Sequence, residues 1–390
     1  MAFLAPISRR IRRRWRQVTR QQQGPIYLIS ACGQPNFGDE FITRSWLDWL
    51  AKHHPDREVW LDSIEPGRAS HLFRDTHPRL QTTNTLWNLA HTGPDDLVES
   101  SDRIRTLILE LGSPRFDLGL RDLRRMESIH LLGGGFMNSI WPENIGVLTA
   151  MTTLREEFGI RILATGQGLL PADGEVQERI RELLARFDYV EARDDESASV
   201  YGISNGADDA FLAFANDRPI YAEPDGLPDS MVLVQTDMVE DARNAELDAT
   251  IAGFVNDPAH RGAGFAEAIP PQDANRALPY IEDGADFFPF VRTWEDGFPA
   301  RSGQEWLTSR FHFHLLAAAA GAKGAVVHVK PGYYDVKHDS LVAVGTGWST
   351  VVDGEPIVPT VNPDFPEIAR RIGRRKAKLA SRLYSTRAPR

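Results

Sequence analysis

Polar side chains and glycines recur along the chain in clusters that could bind an anion or handle a hydroxyl. The first is Asn36-Phe37-Gly38-Asp39-Glu40. Gly38 permits a tight turn, Asp39 can cap a following helix, and Glu40 adds negative charge to its first turn. The chemical alternative has Asp39 orienting or deprotonating a substrate hydroxyl, with Asn36 beside it. Gly133-Gly134-Gly135 follows a buried apolar run and lets backbone amides approach an anion, or simply packs as a tight turn. It is neither a Walker loop nor a dinucleotide fingerprint. Gly166-Gln167-Gly168 and Arg193-Asp194 also end apolar runs; an arginine in such a place can grip phosphate or carboxylate bidentately, or can serve as a surface ion-pair partner. In Ser309-Arg310-Phe311-His312-Phe313-His314, a cap at Ser309 would put Arg310 and His312 in a helix's first turn, where free N–H groups favour anions. His312 and His314 are two residues apart, a poor spacing for a metal pair, and His314 reads as a core histidine. Tyr334-Asp335-Val336-Lys337 can leave a strand and present Lys337 to the same region.

These clusters require strands that end where they begin. The pattern predicts strands at 25–32, 58–63, 128–132, 160–165 and 187–192, alternating with helices at 39–53, 142–158 and 174–186 and a helical face at 104–111. A turn-rich stretch at 216–229 separates a second series: strand 231–235, helix 237–255, strand 263–268, a helix from about 303, an alanine-rich helix at 310–320 and a strand at 325–329. The expected fold class is α/β, two Rossmann-like lobes around a central cleft, with ligands at the carboxyl ends of parallel strands. The expected organisation is a basic amphipathic tail at 1–23, an N-terminal Rossmann-like domain at 24–222, a C-terminal one at 229–360, and a basic C-terminal helix or tail at 361–390.

At 390 residues, with 42% hydrophobic and 25% charged residues, the chain can build two ordinary cores. Cys32 is the only cysteine, which excludes an internal disulfide and a cysteine-built zinc site. It reads as a small buried apolar residue. The apolar stretch at 2–7 is short and precedes the arginines, unlike a signal peptide, and no run is long enough to span a bilayer. A cytoplasmic protein is expected. Sixteen of the 44 Lys and Arg residues lie in the two tails, leaving 28 against the chain's 54 acids. Both tails carry an apolar stripe at helical spacing: Ile7, Ile11, Trp15 and Val18, then Ile368, Ile372, Leu379 and Leu383. Such helices can lie on an anionic membrane, giving peripheral contact at its inner face, or pack on the body with their arginines solvated. The acidic body argues against nucleic acid as a partner.

Taken in order, Asn36-x-Gly38-Asp39-Glu40, Gly133-Gly134-Gly135, Gly166-Gln167-Gly168, Arg193-Asp194-x-x-Ser197, Arg310-x-His312 and Tyr334-x-x-Lys337 resemble the motif series of the polysaccharide pyruvyl transferases. The resemblance spans roughly residues 25 to 350. It implies a GT-B-like fold and phosphoenolpyruvate as donor substrate, with no cofactor or metal. It also implies a glycan or lipid-linked sugar as acceptor. His312 then carries the catalytic role, as general acid toward the methylene carbon of the enol; Arg310 binds the donor, and Arg193 is the matching second arginine. Asn36, Gly133, Gly134, Gly135, Gln167 and Lys337 complete the expected binding set, and Asp39 is the expected base. The chain departs from the family pattern at Phe311, where a leucine-like residue is usual, and at Gly321-Ala322-Lys323-Gly324, where a proline is usual. The rival readings are a nucleotide-sugar glycosyltransferase of the same fold, with Glu267 or Glu282 toward a ribose, and a non-catalytic sugar-binding protein. Asp194-Asp195 and Asp208-Asp209 read as caps and loops rather than metal ligands.

Overall fold

A computed structural model describes residues 24–94, 96–329 and 334–385. The basic N-terminal segment, with its expected amphipathic stripe, lies outside the described residues. The first series runs β1 (Ile26–Ile29), α1 (Phe37–His53), β2 (Val59–Asp62), α2 (Pro66–Leu72), β3 (Leu80–Thr83), α3 (Leu86–His91), α4 (Leu97–Glu110), α5 (Asp117–Leu123), β4 (Ser128–Leu131), α6 (Ile145–Phe158), β5 (Arg161–Gln167), α7 (Gly174–Leu184), β6 (Tyr189–Ala192), α8 (Asp195–Tyr201) and β7 (Ser204–Asn205). The second runs β8 (Ser230–Leu233), α9 (Asn244–Asn256), β9 (Gly264–Ala266), α10 (Ala274–Glu282), β10 (Phe287–Phe288), α11 (Phe290–Glu295), β11 (Glu305–Thr308), α12 (Phe311–Ala319), β12 (Lys323–Val326), α13 (Tyr334–Val344) and β13 (Ser349–Thr350), before a long final helix α14 (Phe365–Leu383).

The strands make two parallel sheets among the described residues, ordered β3-β2-β1-β4-β5-β6-β7 and β10-β9-β8-β11-β12-β13. Both orders reverse direction beside their first strand, between β1 and β4 and between β8 and β11. A crevice opens at each reversal beyond the carboxyl ends of the strands, and such crevices bind ligands in doubly wound sheets. The central strands are apolar on both faces because helices cover both faces, so Ile26, Leu28 and Ile29 are all inaccessible.

One apolar cluster passes through both lobes, joining Leu28 and Phe41 of the first to Met231, Trp306 and Phe313 of the second. Phe37 is its pivot: its ring lies 5.4 Å from Phe313, 5.8 Å from Phe298 and 6.3 Å from both Phe290 and Trp294. The Phe37 backbone N–H also donates to the Ala268 carbonyl at 3.0 Å. The start of α1 is therefore pinned into the second lobe, and truncating a ring buried this way costs about 3–5 kcal/mol.

Several expected elements are corrected. Helix α1 begins at Phe37 because Asn36, not Asp39, is its cap, its Oδ1 accepting from Gly38 N–H at 3.2 Å. The helix expected from 303 is strand β11; Trp306-Leu307-Thr308 sits between β8 and β12, where a short apolar run is favoured as a central strand. The helix expected at 237–255 starts only at Asn244, after a 3₁₀ turn at Asp241–Arg243, which leaves Asp237 on a loop. Lys337 lies in the first turn of α13 rather than just after a strand.

Helix α14 also decides between the two readings of the C-terminal stripe. Ile372, Leu379 and Leu383 are buried on the body, and Ile368 is partly buried. The apolar face is thus unavailable to a membrane, while Arg370, Arg371, Arg374 and Arg375 face solvent. Among the described residues no helix is long and apolar enough to cross a membrane.

Candidate active site

A cavity of about 720 Å³ lies between the facing carboxyl ends of the two sheets. Asn36, Gly38, Asp39, Gly135, Arg193, Arg310, His312 and Lys337 all line it, brought together from the loops and helix starts that follow β1, β4, β6, β11 and β12.

Asn36 organises the first corner. While capping α1 it also donates through Nδ2 to Asp39 Oδ2 at 2.7 Å. A Cβ on Gly38 would sit 2.0 Å from His312 Nδ1. Only glycine lets the imidazole from the second lobe close against α1, so this Gly is explained by an approach rather than by a turn. Burial raises the Asp39 carboxyl pKa, while His312, Arg193 and Lys337 oppose that rise. The next residue, Glu40, faces away: its Oε1 accepts from Gly33 N–H at 2.8 Å, and burial pushes its pKa up to about 8.

The three glycines after β4 do not form the expected row of anion-facing amides. Gly133 N–H donates to Asp209 Oδ2 at 3.0 Å, and the Gly134 carbonyl accepts from Gly168 N–H at 2.8 Å. Only Gly135 lines the cavity, where a Cβ would come within 2.9 Å of an Arg193 terminal nitrogen and 3.4 Å of Lys337 Nζ. A Cβ on Gly168 would likewise stand 2.6 Å from Arg193 Nε. These glycines make room for cationic side chains. Gln167 is corrected too: it is buried behind the wall and donates through Nε2 to the Leu132 and Thr165 carbonyls at 2.9 and 2.8 Å, bracing the sheet.

Arg193 lies 4.7 Å over the Phe311 ring, with Nη1 3.5 Å from Asp208 Oδ2 and its buried Nε 3.9 Å from Asp194 Oδ2, beyond hydrogen-bond distance. Asp194 is the cap of α8, accepting from Ser197 N–H at 2.7 Å. Lys337 is partly buried in the wall; desolvation first, then the neighbouring Arg193, hold its amine well below the usual lysine range, against the pull of Asp39.

Arg310 departs from the expected anion grip. Its guanidinium is shared by two carboxylates, Asp237 and Asp273, with Nε 3.2 Å from Asp273 Oδ2. Asp273 is itself fixed by the Ala268 and Ile269 N–H groups at 3.0 and 2.9 Å. An incoming anion would have to compete with both carboxylates for this arginine. Ser309 is not the cap of α12; its Oγ accepts from Gln235 N–H at 2.9 Å, and Arg310 occupies the cap position. His314 is a core histidine, 2.9 Å from Thr346 Oγ1 and stacked 4.6 Å from Trp348, with burial holding its pKa well below the ordinary value. Cys32 is inaccessible, its thiol pKa pushed far up by burial, which leaves no activated nucleophile there.

Asp208 is the site residue that the sequence reading passed over. Its Oδ1 accepts from Ala210 N–H at 2.8 Å and lies 3.4 Å from His312 Nε2. Burial alone would raise this carboxyl, but His312 and Arg193 outweigh it and hold the pKa well below the carboxylate range. An ionised Asp208 therefore faces the one histidine on the cavity wall that reaches across from the second lobe. Its signal in sequence was only an Asp-Asp pair. Asp237 and Asp273 carried no signal, because their meaning depends on Arg310. Among the described residues no group of three or more His, Cys, Asp or Glu could hold a metal ion.

Two doubly wound lobes with a polar cavity at their facing switch points define a GT-B-like α/β enzyme. The model of the polysaccharide pyruvyl transferase family matches residues 36–283, and the chain belongs to that family, which makes it a transferase. The match begins at Asn36 and ends before Arg310 and His312, which the fold brings to the same cavity. No curated protein matches the sequence. Among solved structures the fold is similar to a putative UDP-N-acetylglucosamine 2-epimerase from Listeria monocytogenes, at 10% identity and a TM-score of 0.52 over 94% of this chain and 98% of that one. It is also similar to the UDP-GlcNAc 2-epimerase from Neisseria meningitidis bound to UDP-GlcNAc, at 10% identity and 0.53 over 93% and 99%. The UDP-GlcNAc 2-epimerase from Methanocaldococcus jannaschii gives 11% and 0.52 over 92% and 98%. At these identities the likeness is one of fold.

Proposed function

We propose that the protein transfers the pyruvyl group of phosphoenolpyruvate to hydroxyls of a cell-surface polysaccharide or glycolipid sugar, forming a ketal and releasing phosphate. The observation that carries this reading is the convergence of Arg193, Lys337, His312 and Asp39 on one cavity. Arg193 meets its carboxylates, Asp208 and Asp194, only at 3.5 and 3.9 Å, which leaves it more available to an anion than Arg310, whose two carboxylates sit at hydrogen-bond distance. Arg193 would hold the donor's phosphate and carboxylate and balance charge as the phosphate leaves, and Lys337, its amine shifted toward the neutral form, would take up a proton as the anion enters.

His312 would give a proton to the methylene carbon of the enol, making an oxocarbenium-like centre at the carbon that bears the phosphate. A sugar hydroxyl adds there and loses its proton to Asp39. The carbon–oxygen bond to phosphate then breaks with its electron pair leaving on phosphate, and a second hydroxyl closes the ring with loss of its own proton. Asp39 suits a base because burial raises its pKa. Asp208 would orient His312 from behind.

The nucleotide-sugar alternative gains nothing from Glu267, which is buried and accepts from Phe290 N–H at 3.1 Å, nor from Glu282; neither lines the cavity. The test is phosphate release from phosphoenolpyruvate with and without a cell-envelope glycan extract, comparing wild type with His312→Ala. Extract-dependent release that vanishes in the variant is the expected result. No release, together with no thermal shift by phosphoenolpyruvate, would overturn the reading.

A further inference from the structure

The two carboxylates that share the Arg310 guanidinium are held in unequal ways. Asp273 meets Nε and Nη2 at 3.2 and 2.5 Å, and it also accepts from the Ala268 and Ile269 N–H groups. Its side chain is wholly inaccessible and lies behind the cavity wall. If it let go, two N–H groups and a buried charge would be stranded. Asp237 takes the outer edge, with Oδ1 2.5 Å from Nη2 and Oδ2 3.4 Å from Nη1. Its side chain is 31% exposed, it lines the cavity, and Arg310 is its carboxylate's only hydrogen-bond partner among the described residues. The backbone around it is fixed. Gln235 Nε2 donates to the Asp237 carbonyl at 2.9 Å, and Thr236 Oγ1 donates to the Gln272 carbonyl at 2.7 Å. Met238 holds a left-handed φ of 57°, which a non-glycine residue adopts only where its surroundings dictate it. The Asp237 side chain can thus leave Arg310 by rotating about its own bonds, without moving the loop.

The second asymmetry is one of charge. Two carboxylates on one guanidinium leave this trio with a net negative charge, which opposes an entering anion. With Asp237 turned away, Arg310 and Asp273 make a neutral pair, and the Nη1–Nη2 edge offers the parallel N–H donors that a carboxylate or phosphate binds bidentately. We infer that Asp237 is a built-in competitor for the anionic ligand: it holds the cavity-side edge of Arg310 as a ligand oxygen pair would, and a bound anion takes its place. Asp237 thereby sets the affinity of the site, because affinity is reduced by the fraction of molecules in which that edge is open. The inference rests on the transferase reading only in taking phosphoenolpyruvate as the anion.

The test is isothermal titration of the full chain with phosphoenolpyruvate, with inorganic pyrophosphate and malonate run beside it as plain anions. Asp237→Asn keeps the size of the side chain and removes its charge, and should tighten phosphoenolpyruvate binding about fivefold to tenfold. Asp237→Ala should act in the same direction, which guards against an effect peculiar to the amide. In an Arg310→Gln background the Asp237→Asn change should give no gain, since the competition it removes no longer exists. Circular dichroism and urea denaturation check that the variants fold. Unchanged or weaker binding in Asp237→Asn would mean that Asp237 aims the arginine instead of competing for it, and overturns the inference. An equal gain with and without Arg310 also overturns it, as a field effect of one lost charge. A wild type that ignores phosphoenolpyruvate, but binds pyrophosphate or malonate more weakly than Asp237→Asn does, supports the competitor while sinking the donor reading. No anion bound by wild type or variant sinks both.

Discussion

Two consecutive aspartates behave in opposite ways. Asp209 receives Lys376 Nζ at 2.7 Å, Trp46 Nε1 at 2.8 Å, Thr165 Oγ1 at 2.6 Å and Gly133 N–H at 3.0 Å. Lys376 also meets Glu191 at 2.6 Å; burial alone would lower its pKa, but the two carboxylates raise it. Asp208, one residue earlier, has a single short bond, to Ala210 N–H, and faces Arg193 and His312 at 3.5 and 3.4 Å. A buried carboxylate with all its acceptor sites filled braces the fold, here tying α14 to the glycine loop after β4. One that faces charged groups at long range beside a cavity leaves those groups capacity for a ligand. Adjacent positions thus differ in kind: Asp209 is saturated within the fold, and Asp208 faces Arg193 and His312.

The contrast can be broken in a graded way. The largest effect is expected in His312→Ala, which should lower phosphate release about 10²- to 10⁴-fold while urea denaturation stays close to wild type. A comparable loss of stability would mean that His312 belongs with Asp209 as a structural group. On the bracing side, Lys376→Met strands Glu191 and Asp209 as unpaired buried charges and should cost about 3–5 kcal/mol by the same denaturation measurement. A loss under 1 kcal/mol would remove the Asp209 network from the list of supports. Gly38→Ala tests the approach of the two lobes: the new methyl must push the His312 ring aside, and a displacement of about 1 Å should lower turnover roughly 10²-fold. Unchanged turnover would show that the ring is not held in its working position by this contact.

A further test concerns Glu40, which resembles neither aspartate: one oxygen is bonded to Gly33 and the other, Oε2, has no partner among the described residues. Its folded pKa of about 8 lies above an unfolded value of about 4.3. Between the two, the folded state binds the extra proton, so this group makes stability fall as pH rises through that window. Glu40→Gln keeps an acceptor for Gly33 and removes the titration. Its melting temperature relative to wild type should climb steadily from about pH 4.5 to 8. A difference that stays flat with pH would place the Glu40 charge elsewhere.

Much of the site was legible as strand endings. Gly38, Gly135, Gly168 and Arg193 all stand just beyond apolar runs, and a parallel sheet puts such positions at one edge. The roles were less legible. Gly135 looked like part of an anion cradle, yet its missing side chain, like that of Gly168, makes space for Arg193, which no local pattern could reveal. Arg310 looked like a ligand for the donor because its partners, Asp237 and Asp273, are 73 and 37 residues away in sequence.

Residue types and their spacing alone determined the α/β alternation, the two parallel lobes, the edge at which chemistry must sit and the family resemblance, because these depend on local periodicity and on motifs short enough to read in one window. Only the tertiary structure decided which charges are matched, which glycines serve a neighbour, that α14 uses its apolar stripe on the body, and that Asp208 rather than Asp209 faces His312. Those outcomes depend on distances between residues far apart in the chain, and a carboxylate's role follows from what fills its lone pairs, which the sequence does not record.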